Sequence, residues 1–595
     1  MQIFFTLNAF LGGRSFCQRM MQTVLIFSCF TTGFTWSQVL PQAGQVNKDA
    51  QQIVPPHEAN PINTSAPLPG PRESLPDAVT VLIKGFKFNG NVAIGNEELQ
   101  KLVADSVDKR LDFTALDRVT DGISRYYRAK GFTVGRAYLP AQQSVDGIIL
   151  INIVEGHFSA INIKNNSPIN TERIQQTIAN NLCSVGNNKD CVGKLITDKG
   201  LERAVLLIKD LPGITGTANL KPGTVTGTSE LDVEVRGTKP NAYSIGFDNY
   251  GTPSTGIYRL NASADINNLR HMGDQLSMGL ATTTMVTATK TGSASYSLPA
   301  GYEGQRIGVS FARSQYRLGA GFSATQSYGL SNALSVYSSY PIIRSVNRSL
   351  YARFSGEVRG GYNNVDTVGT SFRTNANVLR AGLSGDNADS FGGGGYLVYS
   401  ATMSGGFVGN SDPSDAVSAG GAGSAGRFTK LVYSIARQQS AVGALTLYSA
   451  LNGQRAWKNL DGSEQTGLGG PSSTRGYGGE AGGSTGANAT VELRYSTPFK
   501  IGDEINSVTY GLFVDHGWIR YYENVPTGTA AGTANSRALS SYGITTTLQS
   551  AAKTPTPTSW GYFLRGMYGL HSMNQPSAVD PSSRSKFWIQ GGINF

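Results

Sequence analysis

Charge is scarce in this chain. Asp, Glu, Lys and Arg make up 15% of its 595 residues, and the net charge is +10. The cations are scattered with no basic run of five or more, which argues against a nucleic-acid tract and for spread surface and interior charge. Histidine occurs five times and cysteine four, so no cluster of metal-ligand spacing forms, and no metal or cofactor is expected. Gly392 to Gly395 is not followed by Lys-Ser/Thr and a helix, so it is not a phosphate cradle. No catalytic constellation stands out, and the chain does not read as an enzyme. Beyond residue 37 no apolar stretch approaches the roughly 20 residues of a membrane-spanning helix.

What is abundant is glycine, with 73 residues, together with 26 Tyr and 25 Phe. High Gly, low charge and many aromatics fit a long series of short strands.

The first 37 residues read as a signal peptide. Arg14 and Arg19 precede the apolar stretch Val24 to Phe34, and a small residue, Ser37, stands at a plausible cleavage point. Cys17 and Cys29 fall in that segment, leaving Cys183 and Cys191. An even pair in an oxidising compartment reads as a disulfide closing a short loop; no His or further Cys lies near enough to favour a metal. Residues 38–78 read as a short helix, Gln45 to Val54, and a Pro-rich linker. Seven prolines between Pro55 and Pro76 make it extended and semi-rigid. At about 3.1 Å per residue it reaches about 70 Å, more than the thickness of a bilayer core.

Residues 79–156 and 157–240 repeat one order, β-α-α-β-β. The first copy has a strand at Val79 to Phe88, a helix with Leu99, Leu102 and Val103 on one face, and a second helix capped by Asp112 with Leu116, Val119, Ile123 and Tyr127 at helical spacing. Strands at Thr133 to Leu139 and Ile148 to Val154 follow, joined through Asp146-Gly147. The second copy has helical stripes Ile174, Ile178, Leu182 and Leu201, Val205, Ile208, then strands Gly216 to Leu220 and Glu230 to Val235. Gly216 to Leu220 is a candidate sheet edge for an incoming extended segment, or an ordinary strand.

From residue 241 to 595 the helical period disappears. In Leu350 to Arg359, Leu350, Ala352, Phe354 and Val358 oppose Tyr351, Arg353, Ser355, Glu357 and Arg359. In Ala489 to Ser496, Val491, Leu493 and Tyr495 oppose Glu492, Arg494 and Ser496. Alternation alone does not separate a soluble sandwich from a membrane barrel with apolar residues on lipid and polar ones on a lumen. The chain end favours the barrel: Phe587, Ile589, Gly591, Ile593 and Phe595 share a face. The predicted fold is an all-β transmembrane barrel of about sixteen antiparallel strands, preceded by two α+β domains. The stretch Ser404 to Gly426 is expected to be a loop. Phe595, with Trp588, reads as a barrel-assembly signal; the same residues also fit a lipid face and aromatic girdle.

Several segments resemble the two-partner secretion outer-membrane transporters, the TpsB or hemolysin secretion/activation proteins, relatives of BamA-type assembly proteins. Tyr126 to Phe132, Ala137-Tyr138-Leu139-Pro140 and Val154-Glu155-Gly156 are similar to the first POTRA domain of that family. Asp248-Asn249-Tyr250-Gly251 resembles the start of its barrel. Leu468 to Tyr477 resembles its long sixth extracellular loop, whose tip carries Arg-Gly-Tyr, here Arg475, Gly476 and Tyr477. Thr474 stands where Val or Ile is usual. Phe513-Val514-Asp515-His516-Gly517 is similar to its Phe-x-Asp-x-Gly strand motif. The resemblance implies that the loop tip folds inward and sets Arg475 against Asp515, a lumen residue by period-two counting. In that view Gly476 allows a tight turn and Tyr477 packs the tip. It implies a lumen plug for residues 38–78; a disordered tail is the simpler alternative. It also implies a bacterial outer-membrane location with the POTRA-like domains in the periplasm. Expected partners are a large secreted β-rich exoprotein, outer-membrane lipid and, during biogenesis, the barrel-assembly machinery, with no nucleic acid. The expected function is translocation of that exoprotein without nucleotide hydrolysis. The competing readings are an assembly or insertion factor for other outer-membrane proteins and a passive porin or receptor. Two modules and the linker favour export.

Overall fold

The computed structural model describes residues 80–183, 191–283, 289–501, 504–550, 561–572, 575–577 and 582–595. The expected signal peptide, plug helix and linker lie outside these residues.

The first module contains β1 (Val81–Leu82), β2 (Gly85–Asn89), α1 (Asn96–Val103), β3 (Arg110–Leu111), α2 (Phe113–Ala129), β4 (Arg136–Tyr138) and β5 (Ile148–Val154). β2 pairs parallel with β5, and β4 pairs antiparallel with it. The strand expected at Val79 to Phe88 is therefore two: β1 leaves the main sheet to pair with β3. The one expected at Thr133 to Leu139 keeps only three residues, because Phe132 accepts a bond from the Gly135 N–H and curls the chain before β4. Asp112 caps α2, accepting from the Ala115 N–H at 2.7 Å. Leu99, Leu116, Ile123 and Tyr127 pack on Phe86, Phe88 and Ile151. Leu102 does not join them; it is 43% exposed, since Leu99 and Val103, four apart, define the buried stripe. Tyr127 donates to the Glu155 carboxylate at 3.0 Å; burial first, then that carboxylate, push its phenol pKa up. At Asp146 and Gly147 φ is +54° and +76°, the left-handed pair of a tight hairpin turn.

The second module contains β6 (His157–Asn166), α3 (Thr171–Leu182), α4 (Asp198–Lys209), β7 (Ile214–Pro222) and β8 (Thr228–Gly237), with strand order β6-β8-β7. β7 lies at an edge. Ile174, Ile178, Leu201, Val205 and Ile208 pack on Phe158, Leu231 and Val233. Cys183 and Cys191 are joined as a disulfide, with Cα atoms 5.3 Å apart.

The barrel begins with β9 (Asn241–Asp248), β10 (Arg259–Asn267), β11 (Gln275–Thr283), β12 (Lys290–Pro299), β13 (Arg306–Arg317) and β14 (Ser327–Arg344). It continues with β15 (Arg348–Val365), β16 (Thr370–Asp389), β17 (Gly395–Asn410), β18 (Gly426–Ser440) and β19 (Leu445–Ala456). A small hairpin follows, β20 (Thr466–Leu468) with β21 (Ala481–Gly483). Then come β22 (Thr485–Ile501), β23 (Glu504–Arg520), β24 (Ser536–Ser550), β25 (Gly561–His571) and β26 (Ser585–Asn594). Among the described residues, the sixteen strands other than β20 and β21 close antiparallel into one barrel, β26 pairing with β9. Closure leaves no open edge. Phe595 extends this seam: its N–H and C=O both bond the Tyr243 backbone at 2.9 Å, and the two rings stack. The outer face is apolar, with Leu334, Val336, Phe354, Val358 and Leu512 exposed, while Arg359, Glu492 and Asp515 are buried inside. Residues 404–410, expected in a loop, belong to β17. Gly406 lies so close to β16 that a Cβ would sit 2.4 Å from the Asn377 carbonyl oxygen, which explains glycine within a strand.

The second module is seated on the barrel's turns. Arg344 binds Asp210 through two bonds of 2.7 and 2.8 Å. Arg203 donates to the carbonyls of Glu303 and Pro341, Arg173 to those of Pro299 and Gly301, and Asn268 to that of Pro212.

Candidate functional site: a loop latched in the barrel lumen

Residues 457–484 connect β19 to β22 and fold inward, carrying the β20–β21 hairpin. Between the two hairpin strands the chain makes a turn in which the Tyr477 N–H donates to the Thr474 carbonyl at 3.1 Å and the Gly470 N–H to the Tyr477 carbonyl at 3.0 Å. This presents Arg475 to the wall.

Asp515 is on β23, facing inward because Tyr510, Leu512 and Val514, of the opposite parity, take the lipid side. Arg475 meets it in a fork: Nε to Oδ2 at 3.0 Å and Nη2 to Oδ1 at 2.8 Å. The Arg475 backbone N–H adds a third bond to Oδ2 at 3.0 Å. Thr490 and Ser541 hydroxyls donate to the same carboxylate. Arg475 is 4% exposed and Asp515 fully buried, so the bonds form in a low-dielectric setting where charge-assisted geometry matters most. The Arg475 guanidinium carbon also lies 3.5 Å from the centre of the Phe513 ring, a cation–π contact.

Two partners of Arg475 escaped sequence reasoning. Glu492 on β22 accepts from Nη1 at 2.6 Å, with Arg494 and Thr545 also donating to it. Period-two counting puts Glu492 on the polar face, but bringing it to Arg475 needs the β22–β23 register, in which Thr490 faces Asp515 and Glu492 faces Phe513. The other is Trp588. It does not share a girdle with Phe595; it is 1% exposed and donates Nε1–H to the Arg475 carbonyl at 2.7 Å. Its position, one residue from Phe587 and Ile589, turns it to the lumen.

The glycines of both motifs are required by close approach. Gly476 lies in the turn closed by the Tyr477 N–H and the Thr474 carbonyl, without a left-handed φ; a Cβ there would sit 2.7 Å from the Leu570 carbonyl oxygen and from Ser541 Cβ. At Gly517 a Cβ would reach Leu468 Cδ1 at 2.5 Å. Tyr477 stacks on His571, centroids 3.9 Å apart, and donates its hydroxyl to the Gln575 carbonyl at 2.9 Å.

Thr474 is fully buried, and among the described residues its hydroxyl has no hydrogen-bond partner. Leaving such a group unsatisfied costs about 1–3 kcal/mol. Thr474→Val is expected to raise the thermal unfolding midpoint of the detergent-purified protein and to slow release of the tip. A lowered midpoint would show that the hydroxyl is satisfied.

A closed barrel with an apolar belt, an inward loop and two α+β modules docked on its turns defines an outer-membrane barrel of the class that carries POTRA domains. The chain belongs to the haemolysin secretion/activation protein ShlB/FhaC/HecB family, whose model matches residues 227–537, and the ShlB-type POTRA domain matches residues 81–156. It is thus a two-partner-secretion outer-membrane transporter with its POTRA domains in the periplasm. It is 25% identical to the heme/hemopexin transporter protein HuxB of Haemophilus influenzae strain 86-028NP over 579 residues, 95% of this chain and 98% of that one. It is 25% identical to the outer membrane transporter CdiB of Dickeya dadantii strain 3937 over 452 residues, 74% and 75% of the two chains. The solved structure of CdiB from Escherichia coli superposes with a TM-score of 0.65 at 20% identity, covering 98% of both chains.

Proposed function

We propose that this transporter recognises one exoprotein in the periplasm through its two modules and passes it through the barrel without nucleotide hydrolysis. The observation that carries this reading is the loop tip held in the lumen by Arg475, Asp515 and Glu492. Such a contact can exchange partners without covalent chemistry, so cargo binding and cargo folding outside suffice as sources of free energy. The edge strand β7 supports recognition by strand addition, where main-chain bonds give affinity. The disulfide Cys183–Cys191 would brace the end of α3, and Phe595 would serve as the assembly signal at the seam.

The test places the full chain in liposomes with the N-terminal segment of its partner exoprotein. Uptake and protease protection without added energy are expected. Absence of uptake, with faster insertion of unrelated barrel proteins, would make it an assembly factor instead.

A further inference from the structure

The loop 457–484 carries a second buried ionic contact, on its shaft rather than its tip. Glu464 is fully buried. Its Oε1 accepts from Arg359 Nη2 at 2.6 Å, and its Oε2 lies 2.7 Å from Lys430 Nζ. Arg359 comes from β15 and Lys430 from β18; both are less than a tenth exposed. The Glu464 carbonyl accepts from Lys430 Nζ at 2.8 Å and from Gln454 Nε2 at 3.0 Å, and Gln454 Nε2 also reaches the Ser484 carbonyl at the far end of the loop. Ser463 accepts from Arg359 as well.

This contact inverts the polarity of the tip. There the loop supplies one cation to two wall carboxylates; here the loop supplies one anion to two wall cations. The two contacts use different strands of the wall: β15 and β18 at the shaft, β22 and β23 at the tip, with β15 six steps from β23 and β18 two steps from β22. Withdrawing the loop takes the Arg475 cation from the buried Asp515 and the Glu464 carboxylate from Lys430, while Glu492 keeps Arg494 and Arg359 keeps Glu357; the loss is a penalty that water must offset before the loop can move.

We propose that Glu464 is a second positioning residue of this loop, and that the loop leaves the lumen only when the Glu464 contact and the Arg475 contact are both broken. Either anchor alone holds it. The proposal rests on the reading of the loop as a gate, but it is read without cargo, so a failure of export does not decide it.

The experiment measures the open probability of the full chain in planar bilayers for wild type, Arg475→Ala, Glu464→Gln and the double variant. Each single change is expected to raise it only a few-fold. The double change is expected to exceed the product of the two by at least about tenfold, the non-additivity of coupled sites. With Arg475→Ala in place, exchanging the charges, Glu464→Lys with Lys430→Glu, is expected to return open probability toward that of Arg475→Ala, whereas Glu464→Lys without the exchange opens the pore. A purely steric role for the shaft would not give that rescue. A double variant no more open than Arg475→Ala, or an exchange as open as Glu464→Lys without it, overturns the proposal. If Glu464→Gln fails to insert, the exchanged pair against Glu464→Lys carries the test.

Discussion

Arg475→Ala abolishes secretion of the partner exoprotein while the barrel still inserts: this is the largest expected effect. The substitution leaves the Asp515 carboxylate, fully buried, and Glu492, 2% exposed, without the cation they share. Stranding one side of a buried pair costs roughly 3–5 kcal/mol. The loop tip also loses the contact with Phe513 and its two forked bonds to Asp515. The strand ladders of β22 and β23 are untouched, so the barrel itself should survive. Arg475→Lys should rescue little, because one ammonium cannot grip Asp515 with two parallel bonds and reach Glu492 as well. The measurement pairs exoprotein in the medium with heat-modifiable migration of the barrel on gels. Normal secretion by the alanine variant would remove the latch from the mechanism.

The second large effect is expected from Gly476→Val, which leaves every charge in place. The Gly476 position faces backbone on the wall: the Leu570 carbonyl oxygen stands 2.7 Å from where Cβ would lie. Gly569 repeats the constraint from the other side, since a Cβ there would lie 2.7 Å from the Arg475 carbonyl oxygen and the Gly476 nitrogen. A ladder strand cannot yield as a flexible side chain can, so overpacking here costs about 1–3 kcal/mol or more and displaces the tip. Secretion should fall nearly as far as in Arg475→Ala, and the tip should become open to external protease. A variant that secretes normally with a protected tip would mean that the wall gives way after all.

Much of this was legible in the residues, for physical reasons that also mark where legibility stops. Period-two alternation assigns a face, so Asp515 could be turned to the lumen and Val514 to lipid from sequence. It does not assign a neighbour. Glu492 and Glu464 were both readable as polar, yet their partners depend on register and on the path of a long loop. Trp588 shows parity overlooked in favour of residue type: flanked by Phe587 and Ile589 on the outer face, it had to point inward. Residues 404–410 were hidden by composition, because Gly405, Gly406 and Gly409 supply no side chains to alternate. The strand exists through its backbone pairing with β16 and β18, and only at Gly406 does a neighbour approach too closely for a Cβ. Gly476 was assigned to a turn from its residue type; the wall against it is a further, steric reason that only the folded loop reveals.

The seating of the second module has a mechanical consequence. Its named polar contacts fall on the turns and ends of β10 to β15, at Asn268, Pro299 to Glu303, and Pro341 to Arg344. The arm therefore acts as a lever bolted to one half of the rim. A load applied to it by a captured chain enters the wall on the half that bears Arg359, away from the half that bears Asp515. The strap slung across the lumen joins that half to the other, so it lies in the path of any such load.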